Sequence, residues 1–133
     1  MRPVAIALLV LLIAAPASAA SVTATLTTST RAPTVGEPWR YTVAVRRGGK
    51  PIAARMQLQV LLRGRIVGCW KEGVLARCRG GSLGDWIVFR GKRTGVFRWR
   101  ADWVGTRLTF RALVEAGGRT LRLRAPVTVR RPG

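Results

Sequence analysis

The sequence predicts an all-β fold, an antiparallel β-sandwich of seven or eight strands preceded by a signal peptide. Apolar and polar residues alternate with period two in many short segments, and turn residues separate these segments at intervals of roughly 8–12 residues. The chain begins with a short apolar run behind a positive charge. After that run, almost no stretch has apolar residues at helical spacing.

The first 19 residues have the organisation of a secretory signal peptide. Arg2 precedes an unbroken apolar run over residues 4–15, and the small residues 17–19 form a cleavage pattern. The run is shorter than the roughly 18–20 residues needed to cross a bilayer. We expect cleavage after Ala19 or Ala20, a single domain over residues 20–133 without a transmembrane segment, and a secreted or otherwise extracytoplasmic protein.

Seven alternating or short apolar segments are the predicted strands. They are SVTATLTTST (21–30), WRYTVAVR (39–46), RMQLQVLLR (55–63), WIVFR (86–90), VFRWRA (96–101), RLTFRALVE (107–115) and TLRLRAPVTVR (120–130). Such alternation places one face of each sheet on a core and the other in water. Pro126 interrupts the last segment, so we expect that strand at a sheet edge, or bulged or bent there.

Two long segments resemble the bacterial immunoglobulin-like, or fibronectin III-like, modules of exported proteins. They are PTVGEPWRYTVAVRRGGKPIAARMQLQVLL and GVFRWRADWVGTRLTFRALVEAGGRTLRLRAPVTVR, with a P-x-V-G-x-P start, a G-G hairpin, a G-x-F-x-W strand and a closing P-V-T-V strand. The resemblance covers about residues 22–130. It implies a Greek-key sandwich in a surface or secreted setting and carries over no catalytic residues. The two cysteines of this chain are too close together to be the distant inter-sheet pair of antibody domains.

Cys69 and Cys78 lie in the stretch VGCWKEGVLARCRGG (67–81). A zinc site needs more ligands than the nearby Glu72 supplies, and the spacing is not that of a C-x-x-C redox motif. A two-residue turn centred on Gly73 and Val74 would place Cys69 opposite Cys78, and exported domains are oxidised. We predict a disulfide between them, with an intermolecular bridge and copper(I) on the two thiolates as the alternatives.

The composition is strongly basic and poor in catalytic groups. There are 24 lysines and arginines against five aspartates and glutamates, with a net charge of +19 and no histidine. Arginine dominates and asparagine is absent, so the codon usage of a high-GC bacterium is one explanation and an anionic ligand is another. The five acids are scattered among different turns and strands. We expect no enzyme, no cofactor and no metal site.

Arginines alternate with the apolar residues of the predicted strands and should therefore face outward. Arg111 and the pair Arg122 and Arg124 lie on strands joined by the AGGR hairpin (116–119), which predicts one contiguous patch. Arg98 and Arg100 are further candidates for anion binding. Guanidinium groups bind phosphate and carboxylate bidentately, so phospholipid headgroups, envelope polymers and nucleic acid are candidate partners. No recognition helix or aromatic motif indicates specific nucleic-acid binding.

The tryptophans divide into two groups by position. Trp39 and Trp99 are in phase with apolar neighbours and should fill the core. Trp70 and Trp103 lie beside turns, so we expect them to be exposed. With Arg77, the expected cross-strand neighbour of Trp70, they are the candidate ligand contacts.

The leading functional hypothesis is a secreted or cell-surface, non-enzymatic binding module of the bacterial envelope. It would contact an envelope or surface protein through its loops or its arginine-rich sheet face. The alternative is a basic module that binds anionic polymers by charge neutralisation. The two differ in salt dependence, because counterion release makes polyanion binding fall steeply as salt rises.

Overall fold

The computed structural model describes residues 21–78 and 83–133, which form two antiparallel sheets packed as a sandwich. The strands are β1 (Val22–Thr28), β2 (Pro38–Arg47), β3 (Lys50–Pro51), β4 (Ala53–Leu62), β5 (Arg65–Lys71), β6 (Val74–Ala76), β7 (Ile87–Arg90), β8 (Lys92–Arg98), β9 (Arg107–Ala116) and β10 (Arg119–Thr128). A single 3-10 turn, Ala101–Trp103, precedes β9. The predicted signal peptide and its cleavage at Ala19 or Ala20 lie outside the described residues.

Each sheet is organised around one long central strand. In the four-stranded sheet, β2 pairs with β1 on one side and with β3 and β8 on the other. In the six-stranded sheet, β4 pairs with β9 on one side and with β5 and β7 on the other, while β10 and β6 extend the two sides. Among the described strands, β10 pairs with β9 alone, so Pro126 is in an edge strand. This confirms the expectation that followed from the lack of a backbone N–H in proline.

The described residues contain ten strands, so the prediction of seven or eight is wrong. The cysteine hairpin provides β5 and β6, and Lys50–Pro51 adds a two-residue strand that no alternation could reveal. Four hairpins close on two-residue turns in which both central residues have positive φ, the type I′ arrangement. These turns are Gly48-Gly49, Arg63-Gly64, Glu72-Gly73 and Gly117-Gly118.

An aromatic cluster forms the centre of the sandwich and joins its two sheets. Trp39 of β2 meets Phe110 of β9 edge to face, with ring centroids 5.0 Å apart, and Trp99 lies 5.3 Å from Trp39. Both tryptophans are buried, which confirms their predicted place in the core. The indole N–H of Trp39 donates to the carbonyl of Thr30 at 2.7 Å, so its polar end is satisfied.

Strand β4 is buried on both faces, contrary to simple alternation. Met56 and Leu58 face the core, and Gln57 and Gln59 on the other face are also buried. The amide of Gln57 donates to the carbonyl of Gly84 at 3.0 Å, in the segment before β7. Residues 83–85 of this segment, called the covering segment below, lie over the outer face of β4, and their contacts with Gln57 and Gln59 shape the candidate site.

Candidate binding surface

The outer face of the six-stranded sheet carries the arginines that were predicted to form one patch. Arg111 on β9 lies directly opposite Arg124 on β10, and Arg122 is the next residue of β10 on the same face. Directly opposed residues have Cα atoms about 4.5–5.5 Å apart, and diagonal ones about 7–8 Å. These three neighbouring residues are called the arginine face below.

Carboxylates do not neutralise the arginine face within the part of the chain that the structure describes. The two ion pairs found there join Arg55 to Glu115 at 2.7 Å and Arg100 to Asp102 at 3.4 Å. Glu115 is thus engaged by another arginine, although it lies on the same side of the sheet. The described residues therefore provide no carboxylate partner for the positive charge of the arginine face.

The charge of Arg111 is disfavoured by its surroundings. The pKa of Arg111 lies below its ordinary value because partial burial disfavours the cation, and the charges of Arg124 and Arg122 lower it further. Like charges placed opposite each other also weaken a sheet. An anion bound between these side chains would relieve both effects.

Gln59 fixes the position of Arg111 and links it to the covering segment. Its Oε1 accepts hydrogen bonds from Nε of Arg111 at 2.9 Å and from Nη2 at 2.5 Å. Its Nε2 donates to the carbonyl of Leu83 at 2.9 Å. Sequence reasoning missed Gln59; the available signal was a pair of glutamines at the water-facing positions of an otherwise apolar strand.

Arg98 and Arg100 do not join the arginine face. Arg98 belongs to β8 of the opposite sheet, where it donates to the carbonyl of Gly36. Arg100 follows β8 and pairs with Asp102. The candidate anion-binding residues are therefore divided between the two sides of the sandwich.

A cleft between the edges of β1 and β10 extends the arginine face. It has a volume of about 300 Å³, and Arg124 lines it together with Arg31 and the threonines 27, 28 and 30. Guanidinium and hydroxyl groups are both donors to phosphate oxygens. Arg31 was also missed, because it follows a strand and no alternation assigns it to a face.

The disulfide between Cys69 and Cys78 is present, with Cα atoms 5.2 Å apart. The predicted turn is wrong by one residue. The central pair is Glu72-Gly73, so Cys69 lies opposite Ala76, and Cys78 is two residues beyond the end of β6. The bridge therefore ties the chain just beyond β6 to β5, which is a different role from stapling two directly opposed residues.

The same register changes the surroundings of Trp70. Trp70 lies opposite Leu75, and its ring packs 6.2 Å from that of Phe97. The predicted pairing of Trp70 with Arg77 is therefore wrong, and Trp70 is half-buried where exposure was expected.

Trp103 is also more buried than its position beside a turn suggested. It is 7% exposed and packs on Trp99 with ring centroids 5.9 Å apart, in the 3-10 turn before β9. Its remaining surface lines a cleft of about 330 Å³ together with Arg77 and Asp102. Two of the three candidate ligand contacts, Trp103 and Arg77, thus meet at this cleft, and Trp70 is not among the residues that line it.

Among solved structures, the chain is distantly similar to the crystal structure of Spo0M, a sporulation control protein from Bacillus subtilis. The similarity is one of architecture. The sequences are 14% identical, the match covers 82% of this chain and 49% of that chain, and the TM-score is 0.43. The chain thus spans about half the length of that protein. No protein-family model and no curated protein matches the sequence.

Two further properties concern metals and membranes. In residues 21–78 and 83–133, no group of three or more histidine, cysteine, aspartate or glutamate side chains is placed to hold a metal ion. The same residues include no helix of the length and apolar character required to span a bilayer.

Proposed function

We propose that the protein is a non-enzymatic, immunoglobulin-like module of the bacterial envelope, exported from the cytoplasm, that binds a polyanionic partner through the arginine face. The observation that carries the proposal is the direct opposition of Arg111 and Arg124, with Arg122 beside them and no carboxylate of the described residues paired with any of the three. Such a group is unfavourable for the isolated sheet and favourable for an anion.

The other sheet provides a contrast that supports this choice. Arg40 and Arg46 also face outward on β2, but they are six positions apart, which corresponds to about 20 Å along a strand. Arg46 lies opposite Thr23, and Arg40 lies opposite Val96. On that face the basic neighbours of Arg40 and Arg46 are at diagonal positions, Arg98 and Lys92, whereas Arg111 and Arg124 of the arginine face are directly opposed.

Export is supported by the sequence pattern of residues 1–19 and by the disulfide, because disulfides persist in oxidising compartments. The net charge of +19 includes Arg2, so cleavage of the signal peptide would leave the mature domain strongly basic. A basic surface of this kind attracts phosphate-rich or carboxylate-rich polymers over long range.

The test is binding of inorganic polyphosphate by the double variant Arg122→Gln/Arg124→Gln and by the matched control Arg40→Gln/Arg46→Gln. Both variants remove two exposed arginines from strands and change the net charge equally. We expect the first to bind more weakly and to lower the slope of log affinity against log salt by about 2, since each lost phosphate contact removes about 1. Equal losses in both variants would show that only net charge matters and would refute the proposal.

A protein partner bound through the loops is the second candidate. It is favoured by the cleft that joins Arg77, Asp102 and Trp103, since an aromatic ring between opposite charges suits a polar peptide. Salt discriminates between the candidates. The affinity for a protein partner at this cleft should fall only modestly between low and physiological salt. Arg77→Gln should weaken the binding of that partner and leave polyphosphate affinity unchanged.

A further inference from the structure

The exposed apolar side chains of the protein are concentrated on one side of the sandwich. Five large hydrophobic residues among those described are 37% to 76% exposed: Val74, Leu83, Trp86, Val88 and Val96. All except Val96 lie on the outer side of the six-stranded sheet, the side that carries the arginine face.

The pairing register and the contacts establish this distribution. Val88 lies opposite Arg55, whose guanidinium stacks 4.0 Å above the ring of Trp86 on the outer face. Val74 precedes Leu75, which is buried on the core side, so Val74 points to the outer side. Val96 belongs to β8 and lies opposite Arg40 on the outer face of the other sheet.

The apolar residues and the arginines are close enough to contact one surface together. Leu83 and Arg111 both hydrogen-bond the amide of Gln59, so a single side chain separates them. Strands β4 and β10 are two positions apart in the sheet, about 10 Å. Trp86 therefore lies within roughly two to three strand spacings of Arg122.

We propose that this side of the sandwich docks on a membrane surface containing anionic phospholipids. The arginine face would bind headgroup phosphates, while Leu83, Trp86 and Val88 enter the boundary between headgroups and acyl chains. This inference rests on the proposed function, and it specifies which polyanion the arginine face recognises.

The combination of positive charge and exposed apolar side chains on this side of the sandwich favours an anionic bilayer over other partners. A second copy of the chain would place one arginine face against another, and the repulsion of like charges excludes that pairing. A soluble phosphate polymer matches the arginines but gains nothing from exposed leucine and valine. An anionic bilayer satisfies both, because it attracts arginine at its surface and accepts tryptophan and aliphatic side chains just below.

The experiment measures binding of the protein to vesicles of phosphatidylglycerol and phosphatidylcholine, to vesicles of phosphatidylcholine alone, and to inorganic polyphosphate. Val88→Ser has a matched control in Val96→Ser, which removes the same side chain from an edge strand on the opposite side. We expect Val88→Ser to weaken binding to the anionic vesicles, and Leu83→Ser/Val88→Ser to weaken it about tenfold, the effect of withdrawing two partly buried aliphatic groups. Val96→Ser should leave vesicle binding unchanged. None of these substitutions at Leu83, Val88 or Val96 should alter polyphosphate affinity.

A second readout reports insertion independently of affinity. Lipids brominated on the acyl chains should quench the tryptophan fluorescence of the bound protein, and Trp86→Phe should abolish most of that quenching while binding persists. Arg122→Gln/Arg124→Gln should reduce binding to anionic vesicles about 25-fold, at about fivefold for each surface arginine. Unchanged melting temperatures of these variants would show that they remain folded.

The outcomes separate this inference from the proposed function. Polyphosphate binding without vesicle binding, or equal effects of Val88→Ser and Val96→Ser on vesicles, would overturn membrane docking and leave the arginine face as a site for a soluble polyanion. Binding of an acidic protein in preference to vesicles would overturn it as well. If wild-type protein bound neither vesicles nor polyphosphate, both proposals would fail.

Discussion

Gly91 donates its backbone N–H to the carbonyl of Ile52 at 2.9 Å, and this bond connects two of the three places where the described chain passes between the sheets. Gly91 separates β7 of the six-stranded sheet from β8 of the four-stranded sheet, and Ile52 separates β3 from β4. The carbonyl of Gly91 also accepts a bond from the N–H of Val45 at 2.7 Å. The two crossings therefore stabilise each other at a single point.

We predict that Gly91→Ala destabilises the protein by about 2–4 kcal/mol, the sum of a left-handed backbone cost and overpacking. Gly91 has a φ of +71°, and an added Cβ would lie 2.5 Å from the Cβ of Pro51. Gly118 is the matched control, since its φ of +75° is similar but an added Cβ meets nothing within 4 Å. Gly118→Ala should cost only about 1–2 kcal/mol. Denaturant titration measures both, and equal losses would show that packing at the crossing is unimportant.

The only tyrosine of the chain predicts how stability depends on alkaline pH. Tyr41 is buried, and burial raises the pKa of its phenol above 10, an effect that nearby Arg93 partly offsets. The folded state therefore holds this proton more tightly than the unfolded state. The resulting stabilisation is complete at pH values below about 10, the pKa of tyrosine in an unfolded chain. It is lost as the pH rises through the higher pKa that Tyr41 has in the folded state.

Absorbance at 295 nm should follow this single titration directly. We expect tyrosinate to form at a higher pH than in the unfolded chain, together with loss of the folded state. Tyr41→Phe should remove the absorbance change and the tyrosine-linked part of the alkaline instability. A titration of the native protein at the pH of free tyrosine would contradict the burial of this side chain.

The disulfide predicts a loss of stability with a defined local consequence. Replacing both cysteines by serine, Cys69→Ser/Cys78→Ser, should lower the free energy of unfolding by about 2–3 kcal/mol, the chain-entropy value for so short a loop. Because the bridge joins β5 to a residue five positions before Leu83, whose carbonyl binds Gln59, amide hydrogen exchange should increase around residues 83–85 more than in β9. Uniform exchange, with an unchanged melting temperature, would mean that the bridge does not hold this segment.

Local pattern located seven of the ten described strands, because alternation depends only on neighbours along the chain. The same pattern placed Arg111 and Arg124 side by side, since a short hairpin fixes the register of its two strands. It failed at the cysteine turn, where glycine was assigned to the first central position. Glu72 takes that position with φ of +52°, and glycine takes the second, as in the other three hairpins.

The burial that the sequence did not predict comes from tertiary contacts with residues far along the chain. Gln59 lies at a position that alternation assigns to water, and only the segment around Leu83 buries it. Trp103 is buried for a related reason. Its ring packs against Gly68, where an added Cβ would lie 2.8 Å from the indole, so a glycine far along the chain creates the space. The paired glutamines of β4 are the one local signal of this cover, and the contact of Trp103 with Gly68 leaves none.

A substitution at the buried Gln59 can change the net charge of the arginine face without altering its three arginines. Glu at this position keeps an acceptor for the two bonds from Arg111 and adds a negative charge that neutralises the guanidinium. We expect Gln59→Glu to weaken polyphosphate binding and to lower its salt slope by about 1, the contribution of one cation.

The matched control is Gln57→Glu, one same-face position away on β4. Each substitution adds one carboxylate and removes one hydrogen bond to the covering segment, which is worth about 1 kcal/mol. The two positions differ in what their Oε1 atoms contact. Oε1 of Gln59 accepts hydrogen bonds from Arg111, whereas Oε1 of Gln57 is buried and has no hydrogen-bond partner among the described residues. Gln57→Glu should therefore lose more stability and Gln59→Glu more polyanion affinity. Affinity losses of equal size would show that Arg111 does not contact the polyanion, because neutralising it would then have no effect of its own.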